Sequence, residues 1–350
     1  MLILSAAARK ISGPRLPPSI FASSHFRAHS AALWLLLIAC TLHAQQPSLP
    51  ISRPQRFVAQ RSTTDGSSSA AAFQRARMQA AALLFKPRGA TLTAAWQPLG
   101  PVSILSPTFG NLTGRITALA LDPNDTTGNT LYIGTTGGGV WKSINAASTA
   151  TFTPLTDTLP VFAAGTGTIP SLSIGALAVQ PLANPVLLAG TGDPNDATDS
   201  YYGEGILRSA DGGLTWTLIF ESHDGVNGNH SFAGLSTAAI AFSSATPTLV
   251  VAAFTTSPES TNVVAANVTS IPGLYYSTDA GQTWQMSTIM DGSQIVQTPQ
   301  PFGTGQVGNA VTAVVWDPLR QKFFAAVRTH GYYSSSDGIT WIALTPRSCR

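Results

Sequence analysis

The densest group of side chains able to do chemistry lies between Gly190 and Gly205, where Asp193, Asn195, Asp196, Asp199, Tyr201, Tyr202 and Glu204 crowd one excursion of the chain. Oxygen ligands at Asp193, Asn195, Asp196 and Asp199 are of the type that holds Ca²⁺. Their spacing departs from an EF-hand loop, because Ala197 stands where a ligand is wanted and no glycine follows at the turn. No metal and no cofactor are therefore expected, with Ca²⁺ the single candidate. Tyr201 and Tyr202 could stack on a sugar ring. Asp193 and Glu204 are the acids a glycosidase with an atypical site would use. Arg115 is a candidate ligand contact, and its alternative role is to bond carbonyls or an acidic neighbour. His223, His230 and His330 stand in different loops without a recognisable nucleophile or cysteine beside them, so neither a triad nor a zinc site follows.

A second set of acids recurs with fixed spacing. Ser209-Ala210-Asp211-Gly212-Gly213-Leu214-Thr215-Trp216 and Ser277-Thr278-Asp279-Ala280-Gly281-Gln282-Thr283-Trp284 share the pattern S-x-D-x-G-x-T-W. Ser335-Ser336-Asp337-Gly338-Ile339-Thr340-Trp341 repeats it with one residue deleted, and Ser143-Ile144-Asn145 opens a degenerate copy. Asp and Ser side chains bond turn backbone, and Gly tolerates positive φ. The Trp then begins a strand and packs between sheets. Asn145, Asp211, Asp279 and Asp337, with Trp216, Trp284 and Trp341, read as structural hairpin locks rather than catalytic groups.

These hairpins sit in a larger repeat. First strands are expected at Ile116–Leu121, Ile174–Val179, Thr237–Phe242 and Val311–Trp316. Asp122-Pro123, Gln180-Pro181 and Asp317-Pro318 end three of them, since proline cannot supply a ladder donor. Second strands follow at 130–134, 186–190, 248–252 and 322–327. Third strands begin at Val140, Ile206, Leu274 and Tyr332. The fold class is all-β: a β-propeller of four-stranded blades, about four of them complete, over residues 96–345. Trp96-Gln97-Pro98-Leu99 resembles a lone outer strand, which points to a partial or truncated propeller.

The repeats resemble the Asp-box, or bacterial neuraminidase repeat, family, whose blades build sialidases, xyloglucanases and sortilin-type receptors. Gly114-Arg115-Ile116-Thr117 through Gly137-Gly138-Gly139-Val140-Trp141-Lys142-Ser143 is similar to secreted bacterial proteins of that kind. The resemblance implies a fold far more than an activity. A sialidase would need an arginine cluster, yet 96–345 holds only Arg115, Arg208, Arg320 and Arg328. A xyloglucanase would carry an aspartate where Thr135-Thr136-Gly137-Gly138-Gly139 has Thr136, and a hydroxyl is no general base without an activating partner. The reading that follows is a non-catalytic binding or scaffold module for a glycan or protein at the cell surface. The alternative is a glycoside hydrolase.

Composition agrees with many short strands: 31 glycines, 24 prolines and only 10 % charged residues in 350. The formal charge of +3 hides a division. Residues 96–345 hold six basic and fifteen acidic residues, a net charge of −9, while the segment before them is basic. An acidic domain repels phosphate backbones, so nucleic acid is an improbable partner. Basic residues followed by Ala31-Ala32-Leu33-Trp34-Leu35-Leu36-Leu37-Ile38-Ala39-Cys40 read as an export signal over 1–44, too short to span a bilayer. Leu37-Ile38-Ala39-Cys40 also fits a lipoprotein signal with a lipid anchor at Cys40. A basic linker with a short helix at 73–85 is expected over 45–95. The protein is therefore expected to be secreted or held in the cell envelope.

Overall fold

A computed structural model describes Gln79 and residues 103–108, 110–156, 171–195, 200–256, 270–301 and 308–344. All belong to one unit, Arg53–Arg350. The expected export signal, the Cys40 anchor and the strand at 96–99 lie outside the described residues, and the helix of 73–85 is represented by Gln79 alone, which is helical and exposed.

The described chain opens with a hairpin of β1 (Ile104–Ser106) and β2 (Gly110–Leu112), and then builds four antiparallel sheets in succession. The first is β3 (Ile116–Leu121), β4 (Leu131–Thr135), β5 (Val140–Ser143) and β6 (Thr153–Pro154). The second is β7 (Ile174–Val179), β8 (Leu187–Thr191), β9 (Ile206–Ser209) and β10 (Thr217–Ile219). The third is β11 (Ser236–Phe242), β12 (Val250–Thr255), β13 (Leu274–Ser277) and β14 (Gln285–Met286). In each sheet the strands lie side by side in chain order, which is the blade of a propeller. The first strands of successive sheets, β3, β7 and β11, are neighbours in space, and β11 in turn lies beside the first strand of the fourth sheet.

That fourth sheet departs from the expected four strands. It holds β17 (Val311–Asp317), β18 (Lys322–Val327), β19 (Gly331–Ser335) and β20 (Thr340–Ala343), and beyond β20 come β15 (Thr288–Asp291) and β16 (Gln294–Gln297). β15 pairs with β20 in parallel, with Ile289 opposite Trp341. The added hairpin is stitched on by Thr288 N to Ile339 O at 2.8 Å and by Ser287 Oγ to Gly338 O at 2.7 Å. Its turn carries Asp291-Gly292, with Gly292 at φ +63°. Asp-Gly favours such turns, so this hairpin had a sequence signal.

The strands of the second and third sheets are apolar because both faces of these sheets are covered. β8 (LLAGT) and β12 (VVAAFT) are buried at every position, and β7 nearly so. Between the second and third sheets Phe232 stacks on Phe254 at 4.5 Å, and both meet Tyr275 edge-on at 5.0 and 5.4 Å. Trp216, Trp284 and Trp341, each closing an S-x-D hairpin, are buried. Each hairpin also leans on the sheet before it. Gly281 adopts φ +82°, and a Cβ there would stand 2.8 Å from Leu188 of the second sheet. A glycine is needed for conformation and for clearance together.

Candidate functional site

Antiparallel blades send their connections alternately to the two ends of the sheets. The turns between third and fourth strands, which carry the S-x-D hairpins, therefore lie at one end. The turns between second and third strands lie at the other, together with the residues that enter each first strand.

At the hairpin end the aspartates serve their own turns. Ser209 Oγ donates to Asp211 Oδ1 at 2.8 Å and accepts from Gly213 N at 2.8 Å. Thr215 N donates to Asp211 Oδ1 at 2.9 Å and Thr215 Oγ1 to Oδ2 at 2.6 Å. Trp216 Nε1 closes the hairpin on Gly213 O at 3.1 Å. Asp279 repeats the set with Ser277, Thr283 and Gln282, and Asp337 keeps it despite its shorter turn. In the degenerate copy Asn145 Oδ1 accepts from Ser143 Oγ at 2.9 Å and Thr151 N at 2.9 Å. Burial alone would raise the Asp211, Asp279 and Asp337 carboxyls, but these donors outweigh it and hold all three below the usual carboxylate range. A carboxylate so saturated is a turn component. The guanidinium of Arg208 also reaches this end, with Nε on Ala280 O at 3.0 Å. Desolvation lowers its pKa and the Asp279 charge raises it, with the net shift downward.

The opposite end is where sequence-selected residues converge. Arg115, entering β3, forms an ion pair through Nη2 with Asp193 Oδ2, which follows β8. Its Nε donates to Thr136 Oγ1 at 2.9 Å. Asp193 Oδ1 accepts from Asn195 N at 3.0 Å and Asn195 Nδ2 at 2.7 Å, and Asp193 N donates to Tyr201 O at 2.7 Å. The acid is fully enclosed, whereas the arginine side chain is 51 % exposed. A half-exposed cation is thus braced from beneath by a buried anion and a hydroxyl, the acidic-neighbour role anticipated for Arg115. It can donate hydrogen bonds outward to a ligand oxygen without moving.

The other candidates are placed differently. Glu204 Oε2 accepts from Ser171 N at 3.0 Å, and Glu204 N donates to Thr191 Oγ1 at 2.8 Å, so this acid ties a strand entry to β8. Tyr202 is buried and Tyr201 half-buried. Asp196 and Asp199 lie outside the described residues. Among the described residues no three His, Cys, Asp or Glu side chains are grouped to hold a metal ion. No helix of the described residues is long and apolar enough to cross a membrane.

One buried network escaped sequence reasoning. Asp224 Oδ2 accepts from Ser222 Oγ at 2.6 Å and contacts His230 Nδ1 at 2.5 Å, while Asp224 Oδ1 accepts from Met286 N at 2.6 Å. All three side chains are buried, and the serine donates to the carboxylate instead of to the histidine. That order is opposite to a nucleophilic triad, and the group instead fastens the connection after β10 to the strand leaving the third hairpin. Ser222-x-Asp224 repeats the Ser-x-Asp spacing of the hairpins, and this was the available signal. Burial, with the Asp224 charge adding to it, also pushes the Tyr275 phenol well up. His330 Nε2, in the turn between β18 and β19, meets Oδ1 of Asn309, which precedes β17, at 3.0 Å.

No protein family and no curated protein matches the chain in sequence, so the Asp-box resemblance rests on the hairpin residues themselves. Among solved structures, the GH74 xyloglucanase of Xanthomonas campestris is similar at 22 % identity and a TM-score of 0.31, covering 65 % of this chain and 38 % of its own. PorZ, a surface component of the type-IX secretion system of Porphyromonas gingivalis, is similar at 15 % identity and a TM-score of 0.40, covering 72 % and 29 %. The β-propeller domain of Cps50 (Swd1) from Myceliophteria thermophila gives 16 % identity and 0.32, over 63 % and 50 %. The chain thus spans half or less of the length of each of these structures. By its own sheets and their order, the chain is an all-β protein of about four propeller-type blades.

Proposed function

We propose that this chain is an exported, non-catalytic propeller module of the Asp-box kind, secreted or held in the cell envelope, that binds a glycan or protein through the end bearing Arg115. The observation that carries the reading is the Arg115–Asp193–Thr136 cluster: a cation half open to solvent and held in one place by a buried acid. Propeller ends gather loops from successive blades, which makes them the customary ligand surface. The acids there favour binding over hydrolysis. Asp193 is committed to Arg115 and Asn195, and Glu204 accepts a backbone donor.

The test is a glycan array that includes uronic-acid and sialylated members, probed with the full chain and with Arg115→Ala. The expected result is a ligand whose affinity falls about tenfold in the variant, the scale of one charge-assisted hydrogen bond. The same protein is incubated with sialyl and glucan substrates. Turnover that disappears in Asp193→Asn or Glu204→Gln would overturn the binding-module reading in favour of a glycoside hydrolase.

A further inference from the structure

Strand register places Ser173, Ser236 and Ala310 at the position of Arg115 in the second, third and fourth sheets. The same backbone bond marks the position: Thr136 N to Arg115 O recurs as Gly192 N to Ser173 O and Arg328 N to Ala310 O. This entry layer therefore holds one cation, where a clamp for an anionic ligand would gather several. That cation is already balanced. Arg115 Nη2 pairs with Asp193, a fully enclosed acid whose charge water screens little. Among the described residues Arg328 is the other cation at this end, and it follows β18 in the fourth sheet, whose first strand packs on β11, two strands away from β3. The net charge of −9 over 96–345 repels anions further.

The open hydrogen-bonding groups beside the pair are mixed in kind. Among the described residues Arg115 Nη1 has no acceptor, so its donors are available. Gly137 follows the threonine that receives Arg115 Nε, is exposed, and bonds no other described group through its N–H or its C=O. A Cβ on Gly137 would meet nothing within 4 Å, and the same is true of Gly114. Thr136 N and Gly138 N on either side are committed, to Arg115 O at 3.1 Å and to Thr135 Oγ1 at 2.9 Å. One isolated peptide is thus open, rather than the alternating row that an added peptide strand needs. A hydroxyl both donates and accepts, so it can use Nη1 and this peptide together. A carboxylate or sulfate only accepts, and would set its charge against the Gly137 carbonyl and Asp193.

We propose that the ligand of this site is a neutral glycan, held through its hydroxyls by Arg115 Nη1 and the Gly137 peptide, and that uronic, sialylated and sulfated glycans are disfavoured there. The proposal rests on the reading that this end binds a ligand through Arg115, and adds the ligand's charge. Gly114 and Gly137 carry no side chain to hold a sugar ring away from the backbone.

Isothermal titration of the full chain with neutral oligosaccharides (glucans, xylans and mannans), each paired with its uronic-acid counterpart, tests this. The expected result is a neutral member bound at least about tenfold more tightly than its acid form. Its Kd should change less than about twofold between low and high salt. Asp193→Asn removes the balancing charge while keeping the side chain's shape, and should shift the preference toward the acid form. Gly137→Leu projects into open space, so Tm should stay unchanged while the neutral ligand binds about tenfold more weakly. The wild-type comparison decides the matter even where Asp193→Asn does not fold. An acidic glycan bound more tightly than its neutral counterpart, and weakened by Arg115→Lys, would overturn the inference and leave the binding reading intact. Neutral binding that neither Arg115→Lys nor Gly137→Leu weakens would overturn both. With no glycan of either kind bound, the inference falls and the reading survives only with a protein as ligand.

Discussion

The two ends of the blades use carboxylates in opposite ways. At the hairpin end, Asp211, Asp279 and Asp337 spend their oxygens on neighbours no more than four residues away. At the other end, Asp193 is buried and uses one oxygen on Arg115, 78 residues earlier in the chain, leaving that cation half exposed. Local saturation makes a turn, whereas a long-range pair makes a surface. An acid is therefore read by the sequence distance of its donors and by what remains open to water.

Four measurements break or sharpen that contrast. The largest effect is expected at the hairpin end, where Trp284→Ala removes a fully buried indole and should cost about 3–5 kcal/mol in chemical denaturation. A loss under about 1 kcal/mol would mean the hairpins are not girders. Asp279→Ala leaves the donors of Ser277, Gln282 and Thr283 without their acceptor and should cost about 1–3 kcal/mol by the same assay.

Acid should attack this end too. The folded-state pKa values of Asp211, Asp279 and Asp337 lie below the unfolded value, so their stabilisation is complete above it and is lost as pH falls through the folded values. Thermal melts should give a level Tm from pH 8 to 5 and a decline below about pH 4. A Tm still level at pH 3 would contradict this. The smallest stability effect is expected at the other end. Arg115→Lys should change unfolding free energy by no more than about 1 kcal/mol, because a cation stays over the buried Asp193 and only the half-exposed guanidinium fork is lost. Ligand binding should be the property it loses. A large loss of stability would place Arg115 with the girders and remove the contrast.

The strands, their order and the hairpin chemistry were legible in the residues. Three of four first strands end where Asp-Pro or Gln-Pro says they must, and Asn145 performs the aspartate's work in the degenerate copy. Motifs of that kind are local: every donor and acceptor lies within a few residues, so spacing alone determines the geometry. The β15–β16 hairpin was overlooked because its signal, Asp291-Gly292, is brief, and its parallel docking on β20 depends on a strand some fifty residues later.

The pairings made over distance were decided by folding. Nothing in the spacing of Arg115, Thr136 and Asp193 brings them together; the sheets do so by stacking the entry of one blade beside the exit of the next strand pair. The same holds for Ser222, Asp224 and His230, whose carboxylate also reaches Met286. Burial was likewise a tertiary decision. Leu119 and Ile240 are alike in sequence context, yet one faces solvent and the other another sheet. Composition and periodicity specify which faces are apolar, but only the placement of neighbouring sheets determines which of those faces is covered.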